Sequence, residues 1–121
     1  MSLLLVDDEI PLLESLTLVL QLEGYQVQGA TCGRDALTYM AIDPPDLVVL
    51  DLSMPDISGW EVLATMRADA ELQHIPVVIL TANCDDHTRR RVFEHDRTDL
   101  ITKPADIPEL IKVIQQALDG K

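Results

Sequence analysis

Aromatic side chains are scarce: one Phe, one Trp and two Tyr in 121 residues. With hydrophobic residues at 47%, any core must be built from Leu, Val, Ile and Ala. Cysteine is nearly missing as well. Cys32 and Cys84 stand alone without metal-ligand spacing, so they read as two reduced thiols. Basic residues are few, 9 against 21 acidic ones, for a net charge of −12. That balance argues against nucleic acid as this domain's own partner. Long apolar runs are absent too. Leu3 to Val6 is too short for a signal peptide and lacks a basic flank, and nothing approaches the length of a membrane span. No internal repeat, linker or low-complexity segment interrupts the chain. A single domain over residues 1–121 is the expectation, large enough to bury roughly two-thirds of its unfolded surface.

The few positive charges are unevenly placed. Residues 1–88 carry 15 acidic and 2 basic side chains, a balance of −13, whereas residues 89–121 carry 6 acidic and 7 basic, a balance of +1. Arg89, Arg90, Arg91 and Arg97 supply four of the nine basic residues.

What the chain does have is a central stretch, Asp46-Leu-Val-Val-Leu-Asp51-Leu-Ser-Met-Pro55. Leu47 to Leu50 is an unbroken apolar run that reads as a strand buried on both faces, as in a parallel sheet covered by helices. Asp51 stands at its C-terminal end, where open α/β sheets bind ligands. Leu3 to Val6 is a second such strand, ending in Asp7, Asp8 and Glu9. Pro11 suits the first turn of a following helix, with Gly24 at its far end. Tyr25 to Ala30 reads as a short strand, Gly33 to Ala41 as a helix stopped by Pro44-Pro45. Ser58 predicts an N-cap for a helix over Gly59–Ala68. Val77 to Leu80 is a strand ending at Thr81-Ala82. Asp85 or Asp86 caps a helix to about His95. Leu100 to Thr102 is a last strand ending at Lys103-Pro104, and Asp106 with Glu109 resembles a capping box for a final helix. Five strands alternating with five helices predict an α/β fold, a doubly wound five-stranded parallel sheet of flavodoxin-like order 2-1-3-4-5.

In that order the first, third, fourth and fifth strands are neighbours. Asp7, Asp8 and Glu9, then Asp51, Thr81 and Lys103, would meet at one edge. Two like charges ~4 Å apart cost about 4 kcal/mol at an effective dielectric near 20, so clustered carboxylates need a cation. Lys103 supplies one positive charge, and an all-oxygen donor set suits Mg²⁺. Such a site is made for a phosphoryl group, with Asp51 as nucleophile and Lys103 and the Thr81 hydroxyl for its peripheral oxygens.

Val6-Asp7-Asp8-Glu9, Asp51-Leu-Ser-Met-Pro55 with Gly59, Thr81-Ala82 and Thr102-Lys103-Pro104, in this order and spacing, resemble the receiver domain of two-component response regulators of the chemotaxis-regulator type. The resemblance covers essentially the whole chain. It implies that Asp51 accepts a phosphoryl group from a sensor histidine kinase or a phosphotransfer protein. Asp8 and Asp51 would ligate Mg²⁺ directly, Asp7 through water, and the Ser53 backbone carbonyl would complete the protein ligands. Thr81 would act as the switch hydroxyl, Lys103 would pair with the phosphate, and Pro104 would follow a cis peptide bond. The implied protein is cytoplasmic, turns over no separate substrate, and binds no nucleic acid or membrane itself. Its partners would be an output domain or protein, with a homodimer through the fourth helix, fifth strand and fifth helix as a further option.

The chain departs from the family at Leu100, where an aromatic switch residue is frequent, at Asp96-Arg97, where Gly-Ala is frequent, and at Ala105, where Phe is frequent. Ser53 and Asn83 occupy positions that tune phosphate lifetime in the family. The fourth helix has only Val92 and Phe93 as firm apolar positions, so it is expected to be the loosest helix, its charged side being either a solvated face or a mobile basic output surface for an acidic partner or a second copy. His74, His87 and His95 read as surface residues, and Trp60 as packing. A phosphate-independent interaction module of the same fold is the alternative; its signature would be a lost acid pair, nucleophile or lysine, and none is lost. A flavodoxin-like nucleotide binder needs a Gly-rich loop where Asp7-Asp8-Glu9 stands, and an aspartyl-phosphate phosphatase needs Asp-x-Asp after the third strand.

Overall fold

A computed structural model of the chain describes residues 1–54, 56–82, 85–95, 97–104 and 106–119. Strands β1 (Ser2–Val6), β2 (Gln26–Ala30), β3 (Leu47–Leu50), β4 (Val77–Thr81) and β5 (Thr98–Thr102) alternate with helices α1 (Ile10–Leu22), α2 (Gly33–Ile42), α3 (Gly59–Ala68), α4 (Asp86–Phe93) and α5 (Ile107–Asp119). The strands form one sheet in the order β2-β1-β3-β4-β5, parallel throughout.

The sheet is dry on both faces because its middle strands are apolar at every position. Alternation along each strand divides these side chains between two cores. Leu3, Leu5, Leu47, Val49, Val78, Leu80 and Ile101 face α1 and α5, which return Leu13, Leu16, Leu20, Leu110, Ile114 and Leu118. Leu4, Val6, Val48, Leu50, Val77 and Ile79 face the other helices, which return Ala36, Met40, Val62, Leu63, Met66 and Val92. A chain poor in aromatics thus fills both layers with branched aliphatics, aided by two methionines.

Ser58 caps α3, its hydroxyl oxygen accepting the Glu61 N–H, and Asp85 caps α4, its carboxylate accepting the Thr88 N–H. Gly24 follows α1 at φ +97°, a conformation that suits glycine. The last strand begins at Thr98, two residues before the predicted Leu100. Thr98 and Asp99 pair with Val77 and Val78, but Asp99 is exposed on this edge strand, so the apolar signal began too late. Of the Asp96-Arg97 pair that stands where Gly-Ala is frequent, Arg97 is left-handed, at φ 55°, and Asp96 lies outside the described residues.

Arg67, at the end of α3, had no role in the sequence reading. Its Nη1 donates to the carbonyls of Gln73 and Ile75 at 3.0 and 2.8 Å, and its Nη2 to the Arg97 carbonyl and Thr98 Oγ1 at 3.3 and 3.2 Å. One guanidinium thereby joins α3, the turn before β4 and the start of β5, at the sheet end opposite the acidic cluster.

Candidate functional site

Parallel pairing sets the geometry of the strand ends. Val6 is level with Leu50, and Leu80 and Thr81 with Ile101 and Thr102. The chain keeps this register just past the strands: Asp7 N–H donates to the Ala30 carbonyl, Asp51 N–H to the Val6 carbonyl and Lys103 N–H to the Thr81 carbonyl, at 3.0, 3.0 and 2.8 Å. The side chains of Asp7, Asp51 and Lys103 are therefore placed by backbone hydrogen bonds. Thr81, the last residue of β4, is buried at the same edge. The Lys103–Pro104 peptide is cis.

Among the described residues, Asp7, Asp8 and Asp51 form the one group that could hold a metal ion, with a carboxylate oxygen from each within 4.8 Å of the others. Asp7 and Asp51 are only 4% and 5% exposed, whereas Asp8 is open to solvent. Lys103 Nζ donates to Asp7 Oδ2 at 2.8 Å and to Glu9 Oε1 at 3.0 Å, and lies 3.7 Å from Asp51 Oδ2. Asp7 Oδ1 is taken by the Glu9 N–H at 2.9 Å, and Asp51 Oδ1 accepts the Ser53 N–H at 3.3 Å. Ser53 itself is exposed beside the site. Asn83 lies outside the described residues.

Three carboxylates, those of Asp7, Glu9 and Asp51, thus face one ammonium, with Asp8 beside them in the cluster. Burial pushes the Asp51 carboxyl up; the Lys103 charge and the Ser53 amide pull it back in part, and the charges of Asp7 and Asp8 push it up further. Burial alone would lower Lys103, but hydrogen bonds to Asp7 and Glu9 and the charge of Asp51 outweigh it and hold the ammonium protonated. Hard oxygen donors with excess negative charge, two of them in a nearly dry cleft, match a small divalent cation.

The loop after β3 is clamped from two sides that the sequence reading did not anticipate. The Asp56 carboxylate accepts the N–H groups of Gly33 and Arg34, at 3.0 and 3.1 Å. It thereby caps α2 from a distance, since Cys32 at the N-cap position makes no side-chain cap bond. The amide hydrogen bonds, first that of Ile57, hold the Asp56 carboxyl down at about 2. Gly59 then brings the start of α3 against the strand end: its N–H donates to the Leu52 carbonyl at 2.9 Å. A Cβ there would meet the Asp51 carbonyl oxygen and lie 2.6 Å from Leu52 Cα. Gly59 was visible in the motif, but its reason, close approach to the backbone of Asp51, was not.

Arg89, Arg90, Arg91 and Arg97 are all exposed. Arg91 lies over the Trp60 ring, 4.2 Å from its centroid, and Arg97 Nη1 donates to the His74 carbonyl at 3.4 Å. In α4 only Thr88 and Val92 are buried, while Phe93, expected as a firm apolar position, is 59% exposed.

The response regulator receiver domain model matches residues 3–115. The chain belongs to the response regulator receiver family. It is 36% identical over 115 residues to the transcriptional regulatory protein KdpE of Mycobacterium tuberculosis, covering 95% of this chain and 50% of KdpE. It is 32% identical to Protein PilH of Pseudomonas aeruginosa, covering 98% of each. The solved structure of chemotaxis protein CheY4 of Vibrio cholerae superposes with a TM-score of 0.89 at 27% identity, covering 96% of this chain and 97% of that one. This chain spans about half the length of the first curated relatives it matches. Receiver domains of two-component systems are signalling switches, and phosphoaspartate and Mg²⁺ are features of the family. No helix among the described residues is long and apolar enough to cross a membrane.

Proposed function

We propose that residues 1–121 form a phosphoacceptor domain in which Asp51 takes a phosphoryl group from a histidine kinase or phosphotransfer protein. The observation that carries this reading is the meeting of Asp7, Asp8 and Asp51 within 4.8 Å, with Lys103 between Asp7, Glu9 and Asp51. An Asp51 carboxylate oxygen attacks phosphorus, the phosphorus–nitrogen bond to the donor imidazole breaks, and the electron pair returns to that ring. The product is an acyl phosphate on Asp51. Asp8, Asp51 and the Ser53 carbonyl would hold Mg²⁺ directly, and Asp7 through water. The engagement of both Asp7 oxygens, by the Glu9 amide and by Lys103, supports that division. When bound, Mg²⁺ neutralises the cluster and the charge on the transferring oxygens. Lys103 can follow the new phosphoryl charge, and the Thr81 hydroxyl can donate to one of its oxygens.

The acyl phosphate carries about −1.5 to −2 charge where the Asp51 carboxylate carried −1, so the site gains up to about one negative charge, now spread over three outward oxygens. The output of phosphorylation is read on α4, β5 and α5, by a partner protein, an output domain or a second copy of this chain. Poor burial of α4 supports that reading, since an element with two buried side chains shifts at small cost. Leu100, half-buried against the core on the α4 side, replaces the aromatic switch with a change of packing alone. Such a domain works in the cytoplasm, with no nucleic acid or membrane contact of its own.

The test is incubation with acetyl phosphate, with and without Mg²⁺, of wild type and Asp51→Asn, read by intact mass. The expected result is one added phosphoryl group on wild type, dependent on Mg²⁺ and absent from Asp51→Asn. Wild type that stays unmodified overturns the reading in favour of a phosphate-independent interaction module.

A further inference from the structure

Glu9 occupies the N-cap position of α1, yet its side chain makes no cap hydrogen bond there. The side chains that ordinarily accept an amide of the first turn from such a position are those of Ser, Thr, Asp and Asn, and the longer Glu9 is left to reach elsewhere. Here the carboxylate crosses to the far end of the chain and accepts from Lys103 Nζ, 94 positions away, at 3.0 Å. The backbone beneath it is fixed: the Glu9 N–H is held by Asp7 Oδ1 at 2.9 Å, and its carbonyl accepts the Leu13 N–H at 3.0 Å. The side chain itself is 61% exposed. A long solvated side chain, freed from its helix and held to a half-buried ammonium, acts on the site and not on α1.

The effect falls on Lys103. Its ammonium has three donors and three carboxylates in reach. The two that hold it within hydrogen-bond distance are Asp7 and Glu9, at 2.8 and 3.0 Å, while Asp51 Oδ2 stays at 3.7 Å. If the pull of Glu9 were removed, only Asp7 and Asp51 would remain close, and the ammonium would settle between them. It would then cover the oxygen of Asp51 that must ligate a cation.

We infer that Glu9 is a positioning residue: acting through Lys103, its carboxylate keeps the ammonium off Asp51 and leaves that oxygen open to a divalent cation. The inference rests on Asp7, Asp8 and Asp51 being the cation site. It can fail while that reading stands.

The experiment is a Mg²⁺ titration without phosphodonor, followed by the amide resonances of Ser53 and Gly59, in wild type, Glu9→Gln, Glu9→Asp and Glu14→Gln. Glu9→Asp keeps the charge but is one methylene too short for the grip. Glu14→Gln removes the same charge from an exposed position of α1. Glu9→Gln and Glu9→Asp should each raise the half-saturating Mg²⁺ concentration about two- to fivefold, the range of a largely solvated ion pair, and Glu14→Gln should not. Labelling by acetyl phosphate should show the same split, a higher half-saturating Mg²⁺ with the maximal rate within about twofold of wild type. Glu9→Asp titrating like wild type, or Glu14→Gln shifting as far as Glu9→Gln, would leave diffuse charge as the explanation and overturn the inference. Wild type that binds Mg²⁺ but takes no phosphoryl group overturns the phosphoacceptor reading alone. Wild type that shows no Mg²⁺ response overturns both.

Discussion

Gly59→Ala is the sharpest test of how the fold positions Asp51. The added methyl would fall against the Asp51 carbonyl oxygen, 2.6 Å from Leu52 Cα and 3.0 Å from Asp51 C. Non-bonded carbons settle about 3.5–4.0 Å apart, so roughly 1 Å of movement is required. Every partner here is backbone, and no side chain can rotate away. If α3 retreats, it strains the 2.9 Å bond from Gly59 N–H to the Leu52 carbonyl; if the strand end retreats, it strains the 3.0 Å bond from Asp51 N–H to Val6. Overpacking of this kind costs about 1–3 kcal/mol, which for a domain of this size lowers Tm by roughly 4–12 °C. Function should suffer more, because a displacement of about 1 Å in a reacting group can cost on the order of a hundredfold in rate. The assays are urea unfolding followed by Trp60 fluorescence and the initial rate of labelling by acetyl phosphate in native buffer. Gly24→Ala is the matched control. Gly24 sits at φ +97° with nothing within 4 Å of its would-be Cβ, so strain of about 1 kcal/mol should lower stability and leave the labelling rate unchanged. A folded Gly59→Ala protein that labels as fast as Gly24→Ala would refute the reasoning.

Three further outcomes follow from other contacts. Arg67→Met removes four hydrogen bonds from one guanidinium and should cost about 2–4 kcal/mol in urea unfolding with the m-value unchanged; Arg67→Lys should recover less than half, lacking the planar fork. The Asp56 carboxyl is depressed to about 2 from the ordinary 3.8, so its stabilisation is fully present above the unfolded value and is lost as pH falls through the folded one. Between about pH 4 and 2 the acid unfolding of Asp56→Asn should therefore be shallower than that of wild type, and parallel curves would remove the cap from the account. Breaking the Arg91–Trp60 stack by Arg91→Gln should speed hydrogen exchange of the α4 amides by up to about fivefold, the equivalent of about 1 kcal/mol, with α1 and α5 unaffected.

Legibility in the sequence followed the kind of signal. Leu47 to Leu50 and Leu3 to Val6 announced themselves because a strand buried on both faces needs apolar residues at every position. Ser58 was readable as a cap, and Asp85 as one of two candidates with Asp86, because a cap acts on an amide three residues away. β5 was read short because Thr98 and Asp99 belong to an edge strand, whose open side tolerates polar residues. Phe93 was taken as a firm apolar position on composition, yet on so short a helix the face that meets the core is set by Thr88 and Val92.

The linear order of residues determined which types stand at the ends of the strands, since apolar runs are local and each stops at a carboxylate, a threonine or a lysine. Alternation of strands and helices then determined the sheet class, because consecutive parallel strands require a crossover. Only the tertiary structure decided which oxygen each donor takes: that Lys103 rests on Asp7 and Glu9 and not on Asp51, that Asp56 caps a helix other than the one it precedes, and that Arg91 lies on Trp60. These choices join residues from about 20 to nearly 100 positions apart, and they depend on differences of about 1 Å that residue types and spacing do not encode.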